Sequence, residues 1–221
     1  MIEVANLSKS YVVKGRRIPI LENISFKIKN NESVALLGKN GAGKSTLIRI
    51  IGGMELADSG SIKKDCSISW PVGFAIGFQG SLSGKENAEF VARIYNSSKK
   101  SEIEKVVKSV YEFADIGEYF YLPVKTYSSG MKGRLSFALS LAIDFNVYLL
   151  DELTATGDFA FRKKCSEAIQ NLHKKSSFII ATHDLTTLKQ YCQRATGHRA
   201  NRSSEICRGR STFKRTYFAW I

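Results

Sequence analysis

The chain has 221 residues, 43% of them hydrophobic and 24% charged, with a formal net charge of +13. This is the profile of a soluble globular protein, long enough for one large domain or two small lobes around a full core. No apolar run approaches the roughly 18 residues needed to span a bilayer, and the start, MIEVANLSKSY, carries Glu3 and lacks a signal peptide's apolar stretch, so the chain is expected to stay in the cytoplasm.

In chain order, the first 70 residues read as short strands: IEV, ILENISFKI, SVALL and SISW, bounded by Asn and Gly breaks. A helix is predicted over 46–51, closed by Gly52 and Gly53. Residues 84–143 read as mostly helical, with a break at NSSKKS and a loop at YLPVKTYSSG. At the end of that loop Ser128 or Ser129 is placed to cap a helix, whose buried face is Leu135, Ala138, Leu139 and Ala142. VYLL is a buried strand, 159–174 a helix, SFIIAT a second buried strand, and 184–192 a helix start. The alternation of strands and helices in this half argues for a parallel sheet.

The four cysteines, Cys66, Cys165, Cys192 and Cys207, lack metal-type spacing and read as free thiols of a reducing compartment; the three histidines form no ligand cluster. Residues 193–221 carry +6 of the +13 charge, so the basic surplus is largely a property of the tail. No interleaving of basic and aromatic residues marks a nucleic-acid platform, and no nucleic-acid partner is expected.

The segment Gly38, Lys39, Asn40, Gly41, Ala42, Gly43, Lys44, Ser45 fits G-x-x-x-x-G-K-[ST] between a predicted strand and a predicted helix. Glycines let backbone N–H groups turn inward around phosphate oxygens, and the helix start at Thr46 adds its positive end. Lys44 is placed to reach the β- and γ-phosphates, and Ser45 to offer a hydroxyl to Mg²⁺. VYLLDE supplies the matching acids: a buried strand ending in Asp151, which would hold Mg²⁺, and Glu152, which would polarise an attacking water.

Other motifs resemble ABC-type ATPases. His183, ending SFIIATHD, resembles their switch histidine. Gln79 in GFQGS resembles the glutamine that touches Mg²⁺ and water. Tyr11 in SKSYVV resembles the aromatic that stacks on adenine. Ser128, Ser129 and Gly130 in YSSGM resemble the signature L-S-G-G-Q, with Ser129 in place of the first Gly and Met131 in place of the Gln. Gly157 and Asp158 resemble the D-loop at the same dimer interface. The resemblance implies that the signature helix meets ATP held by a second copy, in a head-to-tail dimer. SISWPVGFAIGFQGSLSGKENAEFVARIY, KTYSSGMKGRLSFAL and TATGD together are similar to the ATP-binding subunit of bacterial capsular polysaccharide exporters.

That likeness covers roughly 1–192. It implies a P-loop α/β ATPase core with an N-terminal antiparallel β-lobe and a helical insert over about 82–140. It also implies ATP and Mg²⁺ as ligands, a separate membrane permease docking around 79–85, and a peripheral place on the inner membrane's cytoplasmic face. The O-antigen exporters of this type often append a carbohydrate-binding domain, for which this length leaves no room. An O-antigen or teichoic-acid exporter, a non-transport ABC ATPase, a different P-loop enzyme, and a non-functional product damaged at its C-terminus are the other readings. After LKQYC the pattern breaks into QRATGHRANRSSEICRGRSTFKRTYFAWI, with no run of four apolar residues before FAWI. This tail is read as frame-shifted, the alternative being a basic segment that touches anionic lipid.

Overall fold

The computed structural model describes residues 1–73, 78–95, 99–151, 158–182 and 191–192, with the backbone alone over 194–199 and 202–206. Contacts divide the chain into two units: Met1–Pro71, Phe145–Leu153 and Lys175–Ile221 form the first, Val72–Asp144 and Thr154–Lys174 the second.

The first unit begins with a long hairpin, β1 (Ile2–Val13) and β2 (Arg16–Ile28). The IEV pattern runs on because Lys14 (φ 50°) and Gly15 (φ 76°) make a two-residue turn with both centres in the left-handed region. Such a turn matches the twist of the strands it joins. Ile2, Val4 and Leu7 face the core, and the lost alternation between Val4 and Leu7 is a register shift at Asn6, whose φ is 50°. A third strand, β4 (Ser59–Lys64), pairs with β1 to give the antiparallel order β2-β1-β4. It was not expected, because SGSIKK offers a single apolar residue.

The second sheet of this unit has the order β5-β6-β7-β3-β8-β9. Here β3 is Val34–Leu37, β5 Ile68–Pro71, β6 Val147–Asp151 and β7 Ser177–Thr182. β3, β5, β6, β7 and β8 run parallel. Every residue of β7 and the first four of β6 are buried, as expected of parallel strands covered on both faces. Helix α1 (Lys44–Ile51) lays Leu47, Ile48, Ile50 and Ile51 into one core with Leu7, Leu21, Leu149 and Ile179. Each such side chain stabilises the fold by about 1.5–3 kcal/mol relative to exposure.

Beyond 192, where no strand was expected, the backbone forms β8 (Arg194–Arg199) beside β3 and β9 (Arg202–Ile206) antiparallel to it. The expected helix start over 184–192 lies outside the described residues except for Tyr191 and Cys192.

The second unit is helical: α2 (Gly84–Tyr95), α3 (Lys100–Ala114), α4 (Ser129–Ala142) and α5 (Phe159–His173). Its apolar faces keep helical spacing, with Ile103, Val106, Val110 and Ala114 on α3 and Phe161, Cys165 and Ile169 on α5. Phe113, Phe137 and Phe161 meet at centroid distances of 6.0, 5.9 and 6.2 Å, joining α3, α4 and α5. Among the described residues no helix is long and apolar enough to cross a membrane.

Candidate functional site

The glycine-rich loop leaves β3 and enters α1. Gly43 stands at φ 83°, ψ 7° immediately before Lys44. A Cβ there would lie 2.8 Å from Leu21 Cδ2 and 2.9 Å from Ile20 Cγ2. Both the left-handed backbone and the close packing on β2 therefore demand glycine. The loop is closed by Ala42 N–H donating to Lys39 O at 3.2 Å. The Lys44 ammonium donates to Gly38 O at 2.7 Å and Lys39 O at 3.0 Å, and the residue is only 6% exposed. A cation is thus held inside a ring of backbone, where a multiply charged anion would gain most from it.

Strand order brings in the acid. β7 lies between β3 and β6, with Leu37 opposite Thr182 and Ala181 opposite Asp151, so the three strands end together at one sheet edge. In open parallel sheets this edge is where ligands bind. Ser45 Oγ donates to Asp151 Oδ1 at 3.0 Å across 106 residues of sequence. A hydroxyl and a carboxylate converging at the root of a phosphate loop are hard oxygen donors of the kind Mg²⁺ takes, so the residues fit that ion. Among the described residues no group of three or more His, Cys, Asp or Glu is clustered to hold a metal by itself.

Tyr11 reaches the same helix from β1. Its hydroxyl donates to Glu55 Oε1 at 2.6 Å and lies 3.4 Å from Thr46 Oγ1. Arg49 donates to Tyr11 Oη and to Thr46 Oγ1, both at 3.2 Å, and to Glu55 Oε2 at 3.1 Å. Partial burial pushes the Glu55 carboxyl up, but the bonds from Tyr11, Arg49 and Lys9 outweigh it and leave the group below its ordinary value. Sequence reasoning missed Glu55 and Arg49. Arg49 falls at i+3 from Thr46, a detectable signal, whereas nothing local marks Glu55.

Glu152 and His183 lie outside the described residues, as does Gly157. In the second unit, the Gln79 N–H donates to Asn87 Oδ1 at 3.0 Å, while Asn87 Nδ2 donates to Ser83 O at 2.8 Å. Buried Asn87 thus folds the Gln79 turn onto the start of α2. Ser83 and Glu86 complete a reciprocal cap: Ser83 N–H and hydroxyl both donate to Glu86 Oε2 at 2.7 Å, and Glu86 N–H donates to Ser83 Oγ at 3.2 Å. The S-x-x-E spacing is legible in the sequence.

Of the two serines, Ser128 caps α4: it is extended, and its Oγ accepts from Met131 N–H at 3.2 Å. Ser129 is exposed and opens the helix; Gly130 is half-buried. The preceding Tyr127 is 5% exposed and pins this turn, donating to Tyr119 O at 2.6 Å and accepting from Gly84 N–H at 3.2 Å. Further along α4, Arg134 donates to Asp158 Oδ2 at 2.7 Å and stands 4.6 Å over the Phe161 ring. Asp158 itself caps α5 through Phe161 N–H at 2.8 Å.

The strand–loop–helix with its serine–aspartate pair defines a P-loop nucleotide-binding protein of α/β type. Comparison with known proteins narrows the class. A family model described as ABC transporter matches residues 21–155. The chain is 49% identical over 192 residues to the polysialic acid transport ATP-binding protein KpsT of Escherichia coli, covering 87% of this chain and 85% of that protein. It is 47% identical over 195 residues to the capsule polysaccharide export ATP-binding protein CtrD of Neisseria meningitidis serogroup B, covering 88% of each. Among solved structures, the dimeric post-hydrolysis state of the ATP-binding cassette MJ0796 bound to ADP and Pi superposes with a TM-score of 0.73. That match, at 22% identity, covers 93% of this chain and 98% of the other and shows the shared fold. This chain belongs to the ABC transporter family.

Proposed function

We propose that this chain is the ATP-hydrolysing subunit of an exporter that moves capsular polysaccharide across the bacterial inner membrane. It acts through a separate permease subunit, at the membrane's cytoplasmic face, and as a head-to-tail dimer with a second copy of itself. The observation that carries the reading is the Ser45–Asp151 contact at the root of the glycine-rich loop, in a chain so similar to capsule-export ATP-binding proteins.

In this reading the ring of Tyr11 stacks on adenine. The backbone of Gly38, Lys39, Asn40, Gly41, Ala42 and Gly43 surrounds the phosphates, with Lys44 and Thr46 at the helix start. Ser45 and Asp151 would hold Mg²⁺, which when bound offsets phosphate charge. Glu152 takes a proton from water as the water oxygen bonds to the γ-phosphorus. The bond from that phosphorus to the β,γ-bridging oxygen breaks, and ADP and phosphate result. Lys44 and His183 stabilise charge on the γ-phosphoryl oxygens. Ser128, Ser129 and Gly130 offer the start of α4 to the nucleotide of the other copy.

The test is light scattering on purified Glu152→Gln protein with and without Mg-ATP. A shift from monomer to dimer on adding nucleotide is expected. A folded monomer under both conditions would remove the in-trans role of α4, and near-normal ATP turnover by this variant would count against Glu152. Co-purification with a membrane permease separates export from a soluble role.

The segment 193–221 we read as out of frame. Its arginines and its lack of apolar runs support this. Translation of the other two frames beyond Cys192 tests it: no strand-like apolar pattern in either overturns the reading.

A further inference from the structure

Stacking on a base asks only for an aromatic face, which phenylalanine supplies as well as tyrosine. The structure gives the Tyr11 hydroxyl its own partners. Glu55 Oε1 accepts from it at 2.6 Å, Arg49 donates to it at 3.2 Å, and Thr46 Oγ1 lies at 3.4 Å. Glu55 joins these groups. It pairs with Arg49 at 3.1 Å and with Lys9 at 3.4 Å, and Lys9 stands 5.5 Å over the Tyr11 ring. The carboxylate is mostly shielded, with 19% of its side chain exposed, and Lys9 has 15%. Thr46 and Arg49 belong to α1, which begins at the phosphate-loop lysine. Tyr11 belongs to β1 and Glu55 follows α1, so three separate segments meet at one hydroxyl.

We infer that Glu55 is a positioning residue for the base of the bound nucleotide, fixing the plane of the Tyr11 ring relative to the phosphate loop through the ring's hydroxyl. The inference rests on the reading of Tyr11 as the aromatic that stacks on adenine. A tyrosine held only by its backbone loses rotamer freedom when a base settles on it. One already bonded to Glu55 and Arg49 has lost that freedom on folding, so binding gains affinity. Glu55 touches no part of the nucleotide in this scheme; it acts through Tyr11. The base end and the phosphate end of the site therefore share one scaffold, α1.

The test compares Mg-ATP with inorganic tripolyphosphate, which has the phosphates and no base, by calorimetry on the full chain. Glu55→Ala and Tyr11→Phe are each expected to weaken ATP about two- to tenfold, the range that fixing one side chain implies. Both should leave tripolyphosphate affinity unchanged, and Glu55→Gln, which keeps an acceptor for the hydroxyl, should recover most of the loss. Equal weakening of both ligands by Glu55→Ala would make the residue a mere support of α1 and overturn the inference. So would unchanged ATP affinity in Tyr11→Phe, a variant that removes one oxygen and carries the test if Glu55→Ala does not fold. Tyr11→Ala separates the two levels. If it weakens ATP while Tyr11→Phe and Glu55→Ala do not, stacking stands and Glu55 positioning falls. If it too leaves ATP affinity unchanged, the stacking reading falls.

Discussion

Ser45 and Asp151, 106 residues apart, share a hydrogen bond of 3.0 Å. Neither residue is exposed, and the contact depends on β6, β7 and β3 ending at one edge. It makes a metal prediction. Asp151→Asn keeps the bond to Ser45 as an amide oxygen but removes the charge that Mg²⁺ needs. ATP turnover is expected to fall by about a hundredfold or more, the scale of losing one strong electrostatic group. Binding of ATP without metal should change little. Turnover titrated against Mg²⁺, with nucleotide affinity measured in chelator, checks both halves.

Gly43 makes a sharper prediction than Gly41, although both have φ of 83°. A methyl at Gly43 meets Leu21 Cδ2 at 2.8 Å, whereas at Gly41 nothing lies within 4 Å. Gly43→Ala should cost about 1–3 kcal/mol from backbone strain, with added steric displacement of β2. Gly41→Ala should carry the strain alone. Urea unfolding of the two variants, beside nucleotide affinity, is expected to rank Gly43→Ala as the worse in both.

Arg134 holds three elements of the helical unit. Besides Asp158 and the Phe161 ring, it donates to Asp115 O at 3.2 Å and Ala114 O at 3.5 Å at the end of α3. Its side chain is 18% exposed. Arg134→Ala is expected to destabilise the fold by about 1–3 kcal/mol through lost charged hydrogen bonds and the cation–ring contact. Arg134→Lys restores a charge but not the fork that reaches several oxygens, and should recover only part. Thermal unfolding of both variants tests the ordering.

Asp58 gives the pH dependence. The Ser10 hydroxyl, donating at 2.5 Å, then Arg17 at 3.0 Å, the Ser10 N–H and Lys9 together pull its carboxyl from the ordinary 3.8 to about 2, outweighing desolvation. A folded-state value below the unfolded one means stability that is complete above pH 3.8 and lost as pH falls through about 2. Asp58→Asn should therefore lower the melting temperature at pH 6, with the gap from the parent closing between pH 4 and pH 2. A gap that stays constant over that window would show that Asp58 is not depressed.

Much of the site is legible in the amino-acid sequence. The glycine spacing, Lys44 and Ser45 sit within one local turn, so sequence carries them directly. The apolar runs of β6 and β7 announce buried parallel strands because both faces must be covered. The serines at α4 and the S-x-x-E before α2 announce helix starts because capping is local chemistry. By sequence either Ser128 or Ser129 can cap α4, since either side chain can reach the helix N–H groups. Only the extended backbone at Ser128 chose between them.

What the tertiary structure decided lies farther apart in the chain. β4 joins a sheet through its backbone, and SGSIKK, with Ile62 as its single apolar residue, shows no strand alternation. The expected strand IEV continues to Val13 because the turn at Lys14 and Gly15 lets β2 pair along its whole length. Glu55 carries no motif, and its role arises when α1 turns it toward β1. The amino-acid sequence by itself determined the phosphate loop, the helical faces and the buried strands, because periodicity and turn chemistry act over a few residues. Strand order, register and the meeting of Ser45 with Asp151 and of Tyr11 with Glu55 were decided by packing, because only a closed core brings residues so distant in sequence within hydrogen-bonding distance.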